Sequence, residues 1–293
     1  MAGRRRSHEA ALARARFLGE AGFSARYAVG TNHTVVIDEC SPAQSSVRAL
    51  LALLALNDEP LEKYPFNHTN AAGLVTYSFT LSPRRDALLI VSQAPDNIAR
   101  RIPKAKAGFR FAGEVRTTAG EHVHRLDHVP TGAVVISTSD RGTLGGALFA
   151  MREDMAPFTD QTLDVPVTAQ EHGLCEYVNG LDGDVLALLA ALFVRLSASD
   201  RRTWAVGEFF WDPLDRPPAP WRDQDPLRDG HRSLRDVGGA WELRWTGPPF
   251  PGDIVSALTH RVCGLRGAQA HGEVDARERE IVFGKARLLL RPY

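Results

Sequence analysis

Two stretches of this chain are apolar on nearly every side, and a core has to be built around them. The first is SPAQSSVRALLALLALN, from Ser41 to Asn57; the second runs from Asp184 to Leu196. Ser41 as N-cap, Pro42 at the first helical position and Gln44 three residues after the cap predict a helix start. Asp182 or a neighbour caps the second helix. A helix without a polar face is stable only when it is covered all round, so both are expected to be strongly buried. At about fifteen residues each, they fall short of the roughly 20 that a bilayer span requires.

Strand-like runs surround these helices. They are predicted at 27–37, 74–81, 87–92, 109–116, 133–138, 204–211, 241–245, 268–274 and 280–290, with 163–168 as an edge strand because of Pro166. Further helices are expected at 143–154 and 252–263, and 99–108 reads as a basic connector. The fold class is α+β, with mixed or antiparallel sheets and helices packed on one face. The first and last thirds share the order strand, helix, strand, strand, which raises the prospect of a repeated unit. Four regions are expected: a helical arm over 1–26, a main α+β domain over 27–211, a Pro/Asp/Arg-rich loop over 212–239 and a C-terminal unit over 240–293 packed on the main domain. In the arm, Leu12, Phe17 and Leu18 are the residues expected to face inward.

Zero formal net charge over 293 residues gives no electrostatic reason to expect nucleic acid or a membrane surface as partner. Arginine outnumbers lysine 31 to 4, which fits a GC-rich coding genome and a bacterial source. Cys40, Cys175 and Cys263 are odd in number and widely spaced, so a reducing, cytoplasmic setting is expected rather than a disulfide framework. The basic start, MAGRRRSHEAALARARFLGE, has no apolar h-region after it and does not read as a secretory signal.

The chemically suggestive residues fall in three places. In EHVHRLDH, His122 and His124 lie on one side of a strand and His128 follows four residues later; two or three neutral imidazoles converging there suit a divalent metal such as zinc or iron(II). The run resembles the HxHxDH of metallo-hydrolases, with one extra residue before Asp127, and the HxH of cupin barrels. A polar hairpin that carries histidines is the alternative. The turn around Ser139, Asp140, Arg141 and Gly142, ahead of Gly145 and Gly146, offers backbone N–H groups and a guanidinium to an anionic ligand. It resembles the pyrophosphate loop of acetyltransferases, out of register by one residue; glycines serving only a tight turn and close helix packing are the alternative. Cys40 precedes a helix, where the dipole favours a thiolate, and DECSPAQSSVRAL resembles the cysteine elbow of thiolase-type condensing enzymes over about a dozen residues. The alternative is an inert core thiol.

Two functions of different class follow. One is an enzyme acting on a small organic substrate, an acyl-type or related group transferase. Cys40 is its nucleophile or an adjacent support, His124 or His122 its general base, and Ser139, Asp140, Arg141 and Gly142 its anion cradle. The other is a non-catalytic accessory or scaffold protein that binds a protein partner or a second copy of itself, with Trp211, Trp221, Trp241 and Trp245 as interface residues. Asp182/Asp184 and Asp223/Asp225 have the DxD spacing of cation sites but read more simply as a helix cap and a solvated loop.

Overall fold

The computed structural model describes residues 2–18, 25–26, 29, 37–57, 79–92, 94–116, 122–139, 165–196, 232–245, 250–272 and 278–292. The expectations for 27–28, 30–36, 74–78, 143–154, 204–211 and 212–231 lie outside these residues, as do Asp140, Arg141, Gly142, Trp211 and Trp221; of the strand expected over 27–37, Val29 is instead helical and Ile37 lies in a turn.

Helix α1 (Ala2–Leu18) buries Ala10, Arg14 and Leu18, spaced four apart on one face, together with Ala11 and Ala13. Leu18 is buried as expected, whereas Leu12 is 58% exposed and does not face inward. Small alanines let α1 approach closely, and Arg14 Nη2 donates to Pro83 O at 3.0 Å.

Helix α2 (Pro42–Ala55) starts as its sequence predicts: Ser41 Oγ accepts from Gln44 N at 3.3 Å. Gln44 does not reach back to the cap. Its Nε2 donates to Asp86 O at 3.2 Å and Val134 O at 2.8 Å, tying the first turn to the neighbouring sheet. From Ala49 to Leu56 no residue is more than 1% exposed.

The first sheet contains β1 (Phe79–Pro83), β2 (Ala87–Ser92), β3 (Phe109–Arg116), β4 (His122–His128) and β5 (Ala133–Ser139), in the order β1-β2-β5-β4-β3. The β2–β5 pair is parallel and the other pairs are antiparallel. Between β2 and β3 runs helix α3 (Pro95–Lys104), where a basic connector was expected. Its basic residues disguise it, yet Ile98, Ala99 and Ile102 are buried at helical spacing, and Pro103 falls in the last turn. The histidine run is strand β4, which turns at 129–132 into antiparallel β5, so the polar hairpin forms, and β4 is paired with β3 on its other side.

No strand forms at 165–168; that segment leads into helix α4 (Ala169–Asn179). Thr168 Oγ1 accepts from Glu171 N at 3.2 Å and Glu171 Oε2 accepts from Thr168 N at 2.8 Å, a capping box. Helix α5 (Gly183–Leu196) follows, and Asp182 Oδ1 accepts from Asp184 N at 2.8 Å.

The second sheet holds β6 (Ser233–Asp236), β7 (Trp241–Trp245), β8 (Gln269–His271), β9 (Arg279–Phe283) and β10 (Ala286–Pro292), in the order β6-β7-β10-β9-β8. Helix α6 (Pro251–Thr259) lies between β7 and β8, four residues shorter at its end than the expected 252–263. Strand β6 occupies the end of the segment read as loop, because Ser233–Asp236 pairs with β7. The single strand expected over 280–290 is a hairpin: Gly284 turns the chain at φ 55°, and Lys285 N donates to Asp184 Oδ2 at 2.8 Å. A Cβ on Gly284 would collide with the Asp184 carboxylate, so this turn needs glycine for space as well as for φ.

The two sheets share one topology. Each unit runs helix, two antiparallel strands, helix, three antiparallel strands, and in each the second strand lies parallel to the fifth. This repeat is longer than the strand-helix-strand-strand order expected from sequence. The leading helices of the two units, α2 and α5, pack against each other; α2 also touches β2 and β5, and α5 touches β9, β10 and β1. One contiguous apolar cluster runs from Leu18 through both helices to Leu290. Asn57, at the end of α2, pairs with both backbone groups of Leu234 in β6, donating to its O at 3.2 Å and accepting from its N at 3.0 Å. No single described helix is long and apolar enough to cross a membrane. The α4–α5 pair would be long enough together, but it is bent by 106°, and residues 188–194 of α5 are buried.

Candidate metal centre

Alternation along β4 sends His122, His124, Leu126 and His128 to the face covered by α3. Leu126 and His128 enter the core, while His122 and His124 occupy the polar end. An irregularity in β3 between Phe111 and Gly113 shifts the register so that Glu114 stands opposite His124. Helix α3 begins over this end, and the Ser137 Oγ on β5 donates to Pro95 O at 2.9 Å, fixing where Asp96 enters.

The resulting cluster has four ionisable side chains. His124 Nε2 donates to Asp96 Oδ1 at 2.6 Å. His122 Nδ1 bonds Glu114 Oε1, and Glu114 Oε2 lies 3.9 Å from His124 Nδ1. The imidazoles of His122 and His124 are 6.0 Å apart and inclined by only 28°. Phe111 closes the core side, 5.6 Å from the His124 ring. His124 is 5% exposed, and its Nδ1 is buried with no hydrogen-bond partner. Asp96, His122 and His124 each offer a ligand atom, all within 4.8 Å of one another.

His128, expected as a third ligand, is elsewhere. It lies in the core against Phe109, with ring centroids 4.8 Å apart; Thr131 Oγ1 donates to its Nδ1 at 2.7 Å, and its Nε2 donates to Ala107 O at 3.1 Å. Gly108, at φ 85°, makes room for it, since a Cβ there would press on His128 Nε2 and Pro130. His128 lies four positions beyond His124 on the same strand face, so strand geometry carries the third imidazole away from the first two. In exchange α3 brings Asp96 and β3 brings Glu114, neither of which was a candidate from sequence. The signal that could have found Glu114 is the alternation of β3 against β4; Asp96 had none while 99–108 was read as a connector.

Burial pushes the His128 pKa down to about 4, despite its bond to Ala107 O and the nearby Glu171. The unfolded chain therefore takes up a proton from about pH 6.5 downward that the folded chain refuses until about pH 4, and stability falls as pH drops through that window. A loss of about 3 kcal/mol is expected across it. Urea unfolding at the two ends measures it; a His128→Phe variant showing the same loss would assign the effect elsewhere.

Cysteine chemistry fares differently from expectation. Cys40 sits one residue before the Ser41 cap, beside the β1–β2 turn, where Ser41 N donates to Arg85 O at 3.0 Å. Burial pushes its thiol pKa up, Arg48 opposes this, and Asp38 and Asp86 add to it, so the thiol stays protonated. Gln44 places this end of α2 at Val134, whereas His124 pairs with Ser137 three residues along β5, roughly 10 Å away at strand spacing. Cys175 does meet a histidine, its Sγ 3.4 Å from His128 Nε2. Burial, with Glu171 and Glu176, raises that thiol to about 11, and the imidazole proton is directed at Ala107 O, so the pair is set up for packing rather than nucleophilic attack. Ser139 ends β5 at the polar end, its Oγ buried without a hydrogen-bond partner. Trp241 and Trp245 are core residues of β7, at 4% and 0% exposure, and not interface residues.

Comparison with protein-family models, with curated proteins and with solved structures finds no match for this chain.

Proposed function

We propose that this protein is a non-catalytic accessory scaffold of the bacterial cytoplasm that binds a protein partner through its second sheet. The observation that carries the reading is the repeated topology, which gives the molecule a second sheet whose outer face is an array of arginines and glutamates. Arg235, Glu242, Arg244, Glu280, Arg287 and Arg291 share that face, by the pairings of β6, β7, β9 and β10. Arg291 bonds Glu242 and Glu278 at 2.6 and 3.1 Å, Arg244 bonds Glu242 at 2.6 Å and Arg287 bonds Glu280 at 2.6 Å. These pairs tie Arg244, Arg287 and Arg291 to carboxylates of the same face, and arginine is enriched where protein surfaces meet. The three free cysteines agree with a reducing compartment.

A group transferase acting on a small organic substrate is the second reading. Its support is the polar end of the first sheet, where the end of β5 at Ser139 lies at the same end as His122 on β4; the protonated Cys40 thiol weighs against it. Native mass spectrometry of the chain isolated from its source cells separates the two. The scaffold reading expects a complex with another protein or a second copy, lost in Arg235→Glu/Arg287→Glu while the fold is kept. A free chain carrying an acyl adduct on Cys40 would overturn it in favour of transfer.

A further inference from the structure

We propose that Asp96, His122 and His124 bind one divalent transition-metal ion, with Glu114 holding the two imidazoles from behind. The donor set is two imidazoles and one carboxylate, which suits zinc, iron(II), cobalt(II) or manganese(II) and leaves coordination positions for water or a ligand. The three ligand atoms already lie within 4.8 Å of one another. Tetrahedral coordination at zinc bond lengths needs them about 3.4 Å apart, so a shift of about 1 Å closes the site.

Three features point to a ligand at this place. His122 gives its Nδ1 to Glu114, which directs the Nε2 lone pair outward; a carboxylate behind a ligating imidazole is the usual outer-shell partner of a metal site. His124 is buried, yet its Nδ1 has no partner. With the proton on Nε2, facing Asp96, that Nδ1 is a stranded lone pair inside the protein, which costs free energy. A metal taken by Nε2 and Asp96 moves the proton to Nδ1, where Glu114 Oε2, 3.9 Å away, is the acceptor waiting for it. Finally, the two ligands that must move are the accessible ones: the Asp96 side chain is 49% exposed and that of His122 35%. The site draws on α3, β3 and β4, so the fold presets it, and only the two outer side chains adjust.

The test uses the purified full chain, dialysed against zinc and then against metal-free buffer, with metal and protein measured in the same sample. One equivalent of zinc is expected to remain. Cobalt(II) in its place is expected to give the intense visible absorption of a low-coordinate nitrogen and oxygen site. Asp96→Ala/His122→Ala is expected to lose the retained zinc while keeping its far-ultraviolet circular dichroism. Glu114→Gln is expected to weaken affinity by about 10- to 100-fold, as outer-shell partners do. His271→Ala, an exposed histidine on β8, is expected to change nothing. Zinc retained equally by Asp96→Ala/His122→Ala, or no zinc retained by the wild type, overturns the assignment.

Discussion

Replacing Arg195 with Met is expected to destabilise the protein by about 3–5 kcal/mol, the usual consequence of leaving one partner of a buried ion pair alone. Arg195 is 1% exposed and sits in the last turn of α5. Its two terminal nitrogens each reach one Asp38 oxygen at 2.7 Å, its Nε donates to Cys263 O at 3.1 Å, and Nη1 also donates to Ala191 O at 2.9 Å. One side chain thus joins the second unit's helix to the segment entering α2 and to the turn after α6. Methionine fills much of the volume but takes the guanidinium away from the Asp38 carboxylate and the Cys263 carbonyl. The midpoint of urea unfolding measures the loss. In the double variant Arg195→Met/Asp38→Ala the loss is expected to be smaller than the sum of the two single losses. Strict additivity would show that the two side chains act independently.

Glu171→Gln is the second large effect, again about 3–5 kcal/mol, and it carries its own pH signature. Both Glu171 oxygens accept from Arg110 at 2.8 Å, and Gly108 N and Thr168 N add further bonds at 3.2 and 2.8 Å. Burial alone would raise the carboxyl pKa; the bonds from Arg110, Thr168 and Gly108 outweigh it and hold it at about 2. A carboxyl depressed below its ordinary value of 4.5 stabilises the folded state above that value, and the contribution fades as pH falls toward about 2. The wild type is therefore expected to lose stability in two successive acid windows, first through His128 and then through Glu171. In Glu171→Gln the second window should vanish while the first remains. A variant that still loses the same stability below about pH 4.5 would contradict this account.

Local rules were enough wherever an element's own residues decide its state. Ser41-Pro42 fixed the start of α2, the run Ala87–Ser92 gave β2 its bounds, and Phe109–Arg116 and Trp241–Trp245 gave β3 and β7 theirs. Signals present but overridden account for several misses. Thr168 with Glu171 is a capping box, although the run expected as an edge strand, 163–168, ends on that same Thr168. The polar composition of Ser233–Asp236 concealed a strand, since hydrogen bonding to β7 defines it rather than its own hydropathy.

The candidate site divides in the same way. That His122 and His124 share a side follows from a strand's period of two, which the sequence states by itself. Their companions do not follow from it. Asp96 is 26 positions before His122, Glu114 is eight before it, and only the β3–β4 register and the placement of α3 unite them. The same register sends His128 into the core, and the chain around Cys40 buries its thiol among Asp38 and Asp86, which together outweigh Arg48.

By itself, then, the sequence determined what is local: two helices with no polar face, their caps, the cores of most strands and an α+β class. Tertiary structure alone decided that α2 and α5 cover each other, that two sheets repeat one order, and which imidazole faces a carboxylate. The physical reason is range. Helix caps and alternation act between residues a few positions apart, whereas strand order, burial of charge and convergence of ligands depend on pairings across the whole chain.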